Sequence, residues 1–203
     1  MKPISEKSLN LLLKHEVGGG QRYYEKYLSS FTWPGGASGP TIGIGIDCAY
    51  YSKDELEKMF DYLDDHDLEL VLNASGKTGE SGRTYARKLR EAGIKMSWDK
   101  AIDIFEEKTW AKFSRLAEKI YPDLKYLCDD AYGAVVSIVF NRGASLSGAS
   151  RVEMKNLINL ISSKNYKGIA AEIRKMKRLW VGKGMDGLIR RREDEALLVE
   201  SCS

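Results

Sequence analysis

Leu9, Leu12 and Leu13 recur at the i, i+3, i+4 spacing of a single helix face, and Glu16 falls on that face seven residues after Leu9. Ser5 offers an N-cap, and the glycines at 18, 19 and 20 stop the run, so the pattern predicts a first helix to about Val17 with Glu16 in its last turn. The period then changes. In TIGIGID, Ile42, Ile44 and Ile46 alternate with Thr41, Gly43, Gly45 and Asp47, the two-residue repeat of a strand with one apolar face. Glycines weaken a strand unless something approaches the backbone closely, so this stretch reads as a flat floor with Thr41 at one end and Asp47 at the other. A glycine-rich hairpin is the plainer alternative. Between the two patterns, residues 21–28 (QRYYEKYL) fit a short helix or a strand equally well, and TWPGGASGP is a loop by its Pro and Gly content.

The remainder is helical in pattern. Ser52 to Glu55 forms a capping box opening a helix to about Leu63, and DDHDLELVLNASG follows as a short helix with an Asp-rich cap. That opening has neither the spacing nor the glycine of a calcium loop. A helix from Thr78 to Ala92 stops at Gly93. Ser97 then caps a long helix that ends before Pro122, with an apolar stripe of Ile102, Phe105, Phe113, Leu116 and Ile120. AYGAVVSIVF (131–140) is apolar all round and predicts a buried central helix closed by Gly143. Three more helices are expected at about 150–162, 166–178 and 187–200, around the loop WVGKGMDG. There is no internal repeat and no low-complexity linker.

With 203 residues the chain is long enough to bury a proper core, and 43% hydrophobic with 30% charged residues reads as globular. The net charge of +3 hides an uneven layout. Residues 151–192 are rich in Lys and Arg and 54–69 in Asp and Glu, and the basic C-terminal half suits an anionic polymer without choosing between a bacterial wall and nucleic acid. No run approaches a membrane span, and MKPISEKS lacks the apolar core of a signal peptide. Cys48, Cys128 and Cys202 are odd in number, widely spaced and without metal-site neighbours, a set that reads as reduced thiols of a protein folded in the cytosol.

Glu16 is the first candidate for chemistry. Burial on the leucine face and the negative end of the helix dipole would both favour its protonated form, and such a carboxylic acid is a functional candidate. The same reading predicts that Glu16→Gln melts higher than the wild type at pH 7 to 8. A glutamate pointing to solvent as the helix frays is the plain alternative. Trp33 suits stacking on a sugar ring or anchoring a long loop, and Tyr23, Tyr24 and Tyr27 carry the same two readings. Asn141, beside Arg142 at the polar end of the apolar helix, suits an acetamido contact or a C-cap. His66 reads as solvated. Arg190, Arg191 and Arg192 serve Glu195, the C-terminal carbonyls or a solvated basic face. GIGID lacks both GxGxxG and a Walker lysine, so it is not a phosphate loop.

Glu16 at the end of the first helix, followed by a hairpin carrying TIGIG, resembles the phage-type lysozymes, muramidases that cut the glycan of peptidoglycan. VFNRG (139–143), Trp180 and GLIRRREDEALL (187–198) are similar to the same family's cleft helix end, closing tryptophan and RRxxE segment. The resemblance implies an α+β, mainly α, lysozyme-like fold: a single domain over 1–203, with a hairpin lobe at about 18–50. A helical lobe at about 51–203, with the N-terminal helix, would face it across a substrate cleft. It also implies Glu16 as the acid and Thr41 as the residue that positions water. The usual pattern puts an aspartate nine residues after the glutamate, where this chain has Glu25, and about ten residues around SSFTWPGGASGP look inserted. A branch that includes the bacteriocin pesticin places its aspartate six residues after the threonine, and Asp47 matches that place, with Glu25 the rival. Trp33, Glu25, Asn141 and Arg142 are then expected to meet substrate. No metal or organic cofactor is implied. Expected partners are peptidoglycan and no nucleic acid, with the chain monomeric and not inserted in a membrane. A cytoplasmic product acting on a periplasmic or extracellular wall needs delivery by another system, which leaves room for an immunity protein. A lytic transglycosylase and a non-catalytic wall-binding or nucleic-acid-binding protein of the same fold are the alternatives.

Overall fold

The structure, a computed structural model, describes residues 1–18 and 20–202. Gly19, one of the three glycines expected to stop the first helix, lies outside the described residues. In chain order the elements are α1 Glu6–Val17, α2 Gly20–Tyr27, β1 Thr41–Ile42, β2 Ile46–Asp47, α3 Lys53–Met59, α4 Asp65–Leu72, α5 Gly79–Glu91 and α6 Trp98–Ile104. A π-helical turn, Phe105–Trp110, leads into α7 Ala111–Ile120, then α8 Asp129–Arg142, α9 Val152–Ser162, α10 Tyr166–Lys175 and α11 Asp186–Glu200. The fold is α+β and mainly α, lysozyme-like, with one small antiparallel sheet among the described residues. The chain forms two compact units: Met1–Glu16 with Glu106–Ser203, and Val17–Phe105.

In the first unit α8 is the axis. Every residue from Ala131 to Val139 is buried, as an all-round apolar helix requires, and α7 and α11 pack on it, with α10 on α11. Gly133 lets α1 approach closely, because a Cβ there would lie 1.8 Å from the Ser8 hydroxyl. Ser5 caps α1 through its Oγ, which accepts the Ser8 amide at 3.2 Å. The three thiols are not all reduced. Cys128, at the N-cap of α8, is bonded to Cys202, just past α11, across 74 positions. Antiparallel neighbours bring those helix ends together, which wide spacing in sequence conceals. Cys48 is a buried free thiol in the second unit. The long helix expected from Ser97 to Pro122 is continuous but passes through the π turn.

In the second unit TIGIGID is the hairpin, not a single strand. Thr41 pairs with Asp47 and Ile42 with Ile46, and Gly43–Ile44–Gly45 is the turn. Gly43 and Gly45 have φ of +67° and +76°, backbone that favours glycine, so they serve the reversal and not a floor. All three isoleucines are buried, which satisfies the alternation while the chain turns back. The ambiguous 21–28 stretch is helix α2. Tyr24 is wholly buried, its hydroxyl donating to the Met96 carbonyl at 3.0 Å, while Tyr23 and Tyr27 are exposed. The Ser52–Glu55 capping box forms as expected. Among the described residues no helix is long and apolar enough to cross a membrane.

Candidate active site

Glu16 ends α1 but is not held on a dry leucine face. Its side chain is 30% exposed, and Oε1 accepts from Arg191 Nη1 at 2.6 Å. The physical reason is on α11. Arg191 is nearly fully buried, and a buried guanidinium needs acceptors on several of its nitrogens. Its Nη2 donates to Ser137 Oγ at 3.1 Å and its Nε to Glu195 Oε1 at 3.3 Å. Ser137 in turn donates to Glu195 Oε1 at 2.6 Å. Glu195 and Arg192 are wholly buried and paired at 2.7 Å. Burial lowers the Arg192 pKa, against the pull of Glu195. Arg191 thus joins a buried carboxylate to the partly exposed Glu16, and its placement is fixed from behind. Arg190 alone of the three arginines is the exposed, solvated member.

Beside Glu16, His15 Nε2 and Lys14 Nζ each lie 2.8 Å from Asp194 Oδ2. Burial, the largest influence, lowers the His15 pKa, and Arg191 adds to it, while Asp194 pulls the other way.

Thr41 and Asp47 face one another across the hairpin. Thr41 is also flanked by Thr32, with which it exchanges two backbone hydrogen bonds of 2.8 Å, and its hydroxyl donates to the Gly39 carbonyl at 3.1 Å. Both Asp47 oxygens accept the Gly39 amide at 3.0 Å, and Oδ1 takes the Ala49 amide at 3.2 Å, capping a short 3-10 turn at Cys48–Tyr50. Asp47 therefore ties the inserted loop to the hairpin. A Cβ at Gly39 would lie 2.7 Å from Asp47 Oδ1 and 2.3 Å from the Ala49 Cβ, so glycine is required there by close approach. Glu25 is exposed on α2 and accepts from Gln21 at 2.8 Å.

Trp33 braces its own loop, its indole N–H donating to the Ser38 carbonyl at 2.9 Å. Asn141 is half-buried in the last turn of α8. Arg142 donates through Nη2 to the Ser150 carbonyl and stacks over Trp180 at 5.4 Å, with Arg192 near the same ring at 5.6 Å. Burial, followed by the neighbouring Arg151 and Arg192, brings the Arg142 pKa down to about 10. The structure thus gathers Glu16 with Arg191, Thr41 with Asp47, and Arg142 with Trp180. Sequence reasoning missed His15, Asp194 and Ser137. A lone serine in the apolar run AVVSIVF was the available signal for the last, since a buried hydroxyl needs a partner.

A mainly helical chain with one short antiparallel hairpin, and a glutamate held at the end of its first helix, defines the lysozyme-like class. The chain belongs to the phage lysozyme family, whose model matches residues 75–195. The matched span holds Ser137, Asn141, Arg142, Trp180, Arg191, Arg192 and Glu195, and it starts after Glu16, Thr41 and Asp47. Comparison with curated proteins returned no match. Membership brings the general class of chemistry, glycoside hydrolysis directed at peptidoglycan.

Proposed function

We propose that this protein is a muramidase that cleaves the β-1,4 bond between N-acetylmuramic acid and N-acetylglucosamine in bacterial walls, with Glu16 as the general acid. The observation that carries this reading is the Arg191 bond to Glu16 Oε1. It orients the carboxyl from a buried support, while Oε2 has no hydrogen-bond partner among the described residues. Proton transfer from Oε2 to the glycosidic oxygen needs that kind of fixed geometry. Thr41 holds the attacking water, and Asp47 is the second carboxylate. The six-residue step from Thr41 to Asp47 aligns the chain with the pesticin-like branch, and delivery to the wall is by another system. Purified peptidoglycan tests the reading through turbidity loss and release of reducing ends. Wild-type protein should produce both and Glu16→Gln neither, and a Glu16→Gln protein with wild-type turnover would end the assignment.

One observation favours a second reading, a lytic transglycosylase. Asp47 is already engaged by the Gly39 and Ala49 amides. In a transglycosylase the sugar's own hydroxyl attacks and no second carboxylate is needed. Products ending in an anhydro sugar in place of a reducing end would decide for it.

A further inference from the structure

One face of α5 carries an arrangement apart from the proposed catalytic groups. Glu80, Arg83, Arg87 and Arg90 follow one another at helical spacings of three, four and three residues. With Thr84, and with Trp33 from the inserted loop, they line a cavity of about 430 Å³. Three guanidinium groups meet one carboxylate there, so the cavity is basic.

Its walls are fixed and its charges are not consumed. Trp33 is pinned through its indole N–H to Ser38, and Arg90 through Nε to the Phe31 carbonyl at 2.9 Å. The Arg83 guanidinium lies 5.8 Å from the centre of the Trp33 ring. By contrast, Arg83 reaches Glu80 only at 3.6 Å and Arg87 reaches Glu91 only at 3.9 Å, both beyond hydrogen-bonding distance. All four of those side chains are well exposed, where such pairs contribute little. A basic helix face that merely meets solvent needs no concavity and no immobilised tryptophan beside it. Arginine forks next to an aromatic wall match an oxyanion carried close to a flat or ring-shaped group.

We propose that this cavity is a second wall-binding site, in which Arg83 and Arg87 take a carboxylate of the peptide stem that peptidoglycan carries beside its sugars. The choice of ligand rests on the muramidase reading; the geometry itself specifies an oxyanion, carboxylate or phosphate. The volume suits one sugar or a few stem residues. Arg90, committed to Phe31, forms the wall.

Calorimetric titration of the whole protein with a soluble disaccharide–peptide, and with the same disaccharide lacking the peptide, tests the site. Wild-type protein should bind the peptide-bearing sugar more tightly. The double variant Arg83→Gln/Arg87→Gln should lose at least tenfold in affinity for it and none for the peptide-free sugar. Both side chains are exposed, so the melting temperature should stay at the wild-type value. Equal affinity of wild type and variant for the peptide-bearing sugar would overturn the site. So would a wild type that does not distinguish the two sugars. Displacement of the peptide ligand by polyphosphate at a tenfold lower concentration would assign phosphate and overturn the carboxylate. The two readings fail separately: reducing ends released without the variant's loss of affinity leave the muramidase and remove this site. The loss of affinity without reducing ends does the reverse.

Discussion

Glu16 shares its carboxylate with Arg191, and this reverses the stability expected of its neutral variant. A carboxyl buried among leucines would be relieved by Glu16→Gln. A side chain bonded to a buried guanidinium is not: the amide of Gln keeps one acceptor oxygen for Arg191 Nη1, but that neutral bond is weaker than the charge-assisted one. Discounted for the exposure of Glu16, the loss is about 1 kcal/mol, so Glu16→Gln should melt lower at pH 7 by roughly 2–4 °C. Activity should fall by at least ~10²-fold, the usual contribution of a general acid. Asp47 needs a comparison that separates cap from chemistry. Asp47→Asn keeps one acceptor oxygen for Gly39 and Ala49, so its stability loss should stay near ~1 kcal/mol, the scale of a cap. If Asp47 acts in the reaction, wall hydrolysis should fall ~10²-fold or more, whereas Glu25→Gln should stay near wild type. The opposite ranking would restore Glu25. His15 adds a pH dependence. Burial lowers its folded pKa below the unfolded value of about 6.5, so folding favours the neutral ring. That contribution is present above the unfolded pKa and lost as pH falls through the folded one. Urea midpoints at pH 7.5 and 5.0 should therefore fall further for the wild type than for His15→Gln. Glu16 was legible from its place on a helix, because spacing reports which face a residue takes. Arg191 as its partner was not, because the two lie 175 positions apart and no local period links them.

At the scale of elements, the helices were readable because caps and apolar stripes act within a few residues of one another. The capping box at Ser52, the stop at Gly93 and the all-round apolar α8 each follow from such local chemistry. The hairpin stood beside a straight strand as one of two readings for an equally physical reason. Alternation of isoleucine and glycine is the same whether the chain runs straight or reverses, and only the left-handed φ at Gly43 and Gly45 distinguishes them. The π turn at Phe105–Trp110 has no signature in a pattern that keeps its apolar stripe. Helix packing yields a prediction of its own. Gly133 sits where α8 meets Ser8 of α1, and a methyl group there would overlap the Ser8 side chain. Alanine is the better helix former, by about 1 kcal/mol over glycine in an exposed helix. Here the overlap should win, because a tightly packed contact gives way only by moving α1. Gly133→Ala should lower stability by ~1–3 kcal/mol in urea titration, and Gly133→Ala/Ser8→Gly should recover most of it. A stabilised single variant would mean that α1 shifts freely.

At the scale of the molecule, the Cys128–Cys202 bond is the longest covalent constraint, since it encloses α8 through α11. A cross-link acts chiefly on the unfolded chain, whose freedom it removes in proportion to the logarithm of the loop it closes. For 74 residues of separation the chain-entropy relation gives about 4.5 kcal/mol, an upper figure because residual structure in the unfolded chain reduces it. At roughly 2–4 °C per kcal/mol, reduction should lower the melting temperature of the protein by at most about 9–18 °C. Two variants separate the bond from the other work of its cysteines. Cys128 Sγ also accepts the Ala131 amide at 3.3 Å as the N-cap of α8, a task that serine performs at least as well. Cys128→Ser therefore removes the bond and keeps the cap, and Cys202→Ser removes the bond alone. Both should melt like the reduced wild type, and neither should respond further to dithiothreitol. Cys48 does not complicate the measurement, because it is fully buried and burial raises its thiol pKa, which keeps it from exchange. A wild type whose melting temperature is the same with and without reductant would show that packing of α8 against α11 alone holds these ends together. The three thiols would then be as free as the sequence reading had them.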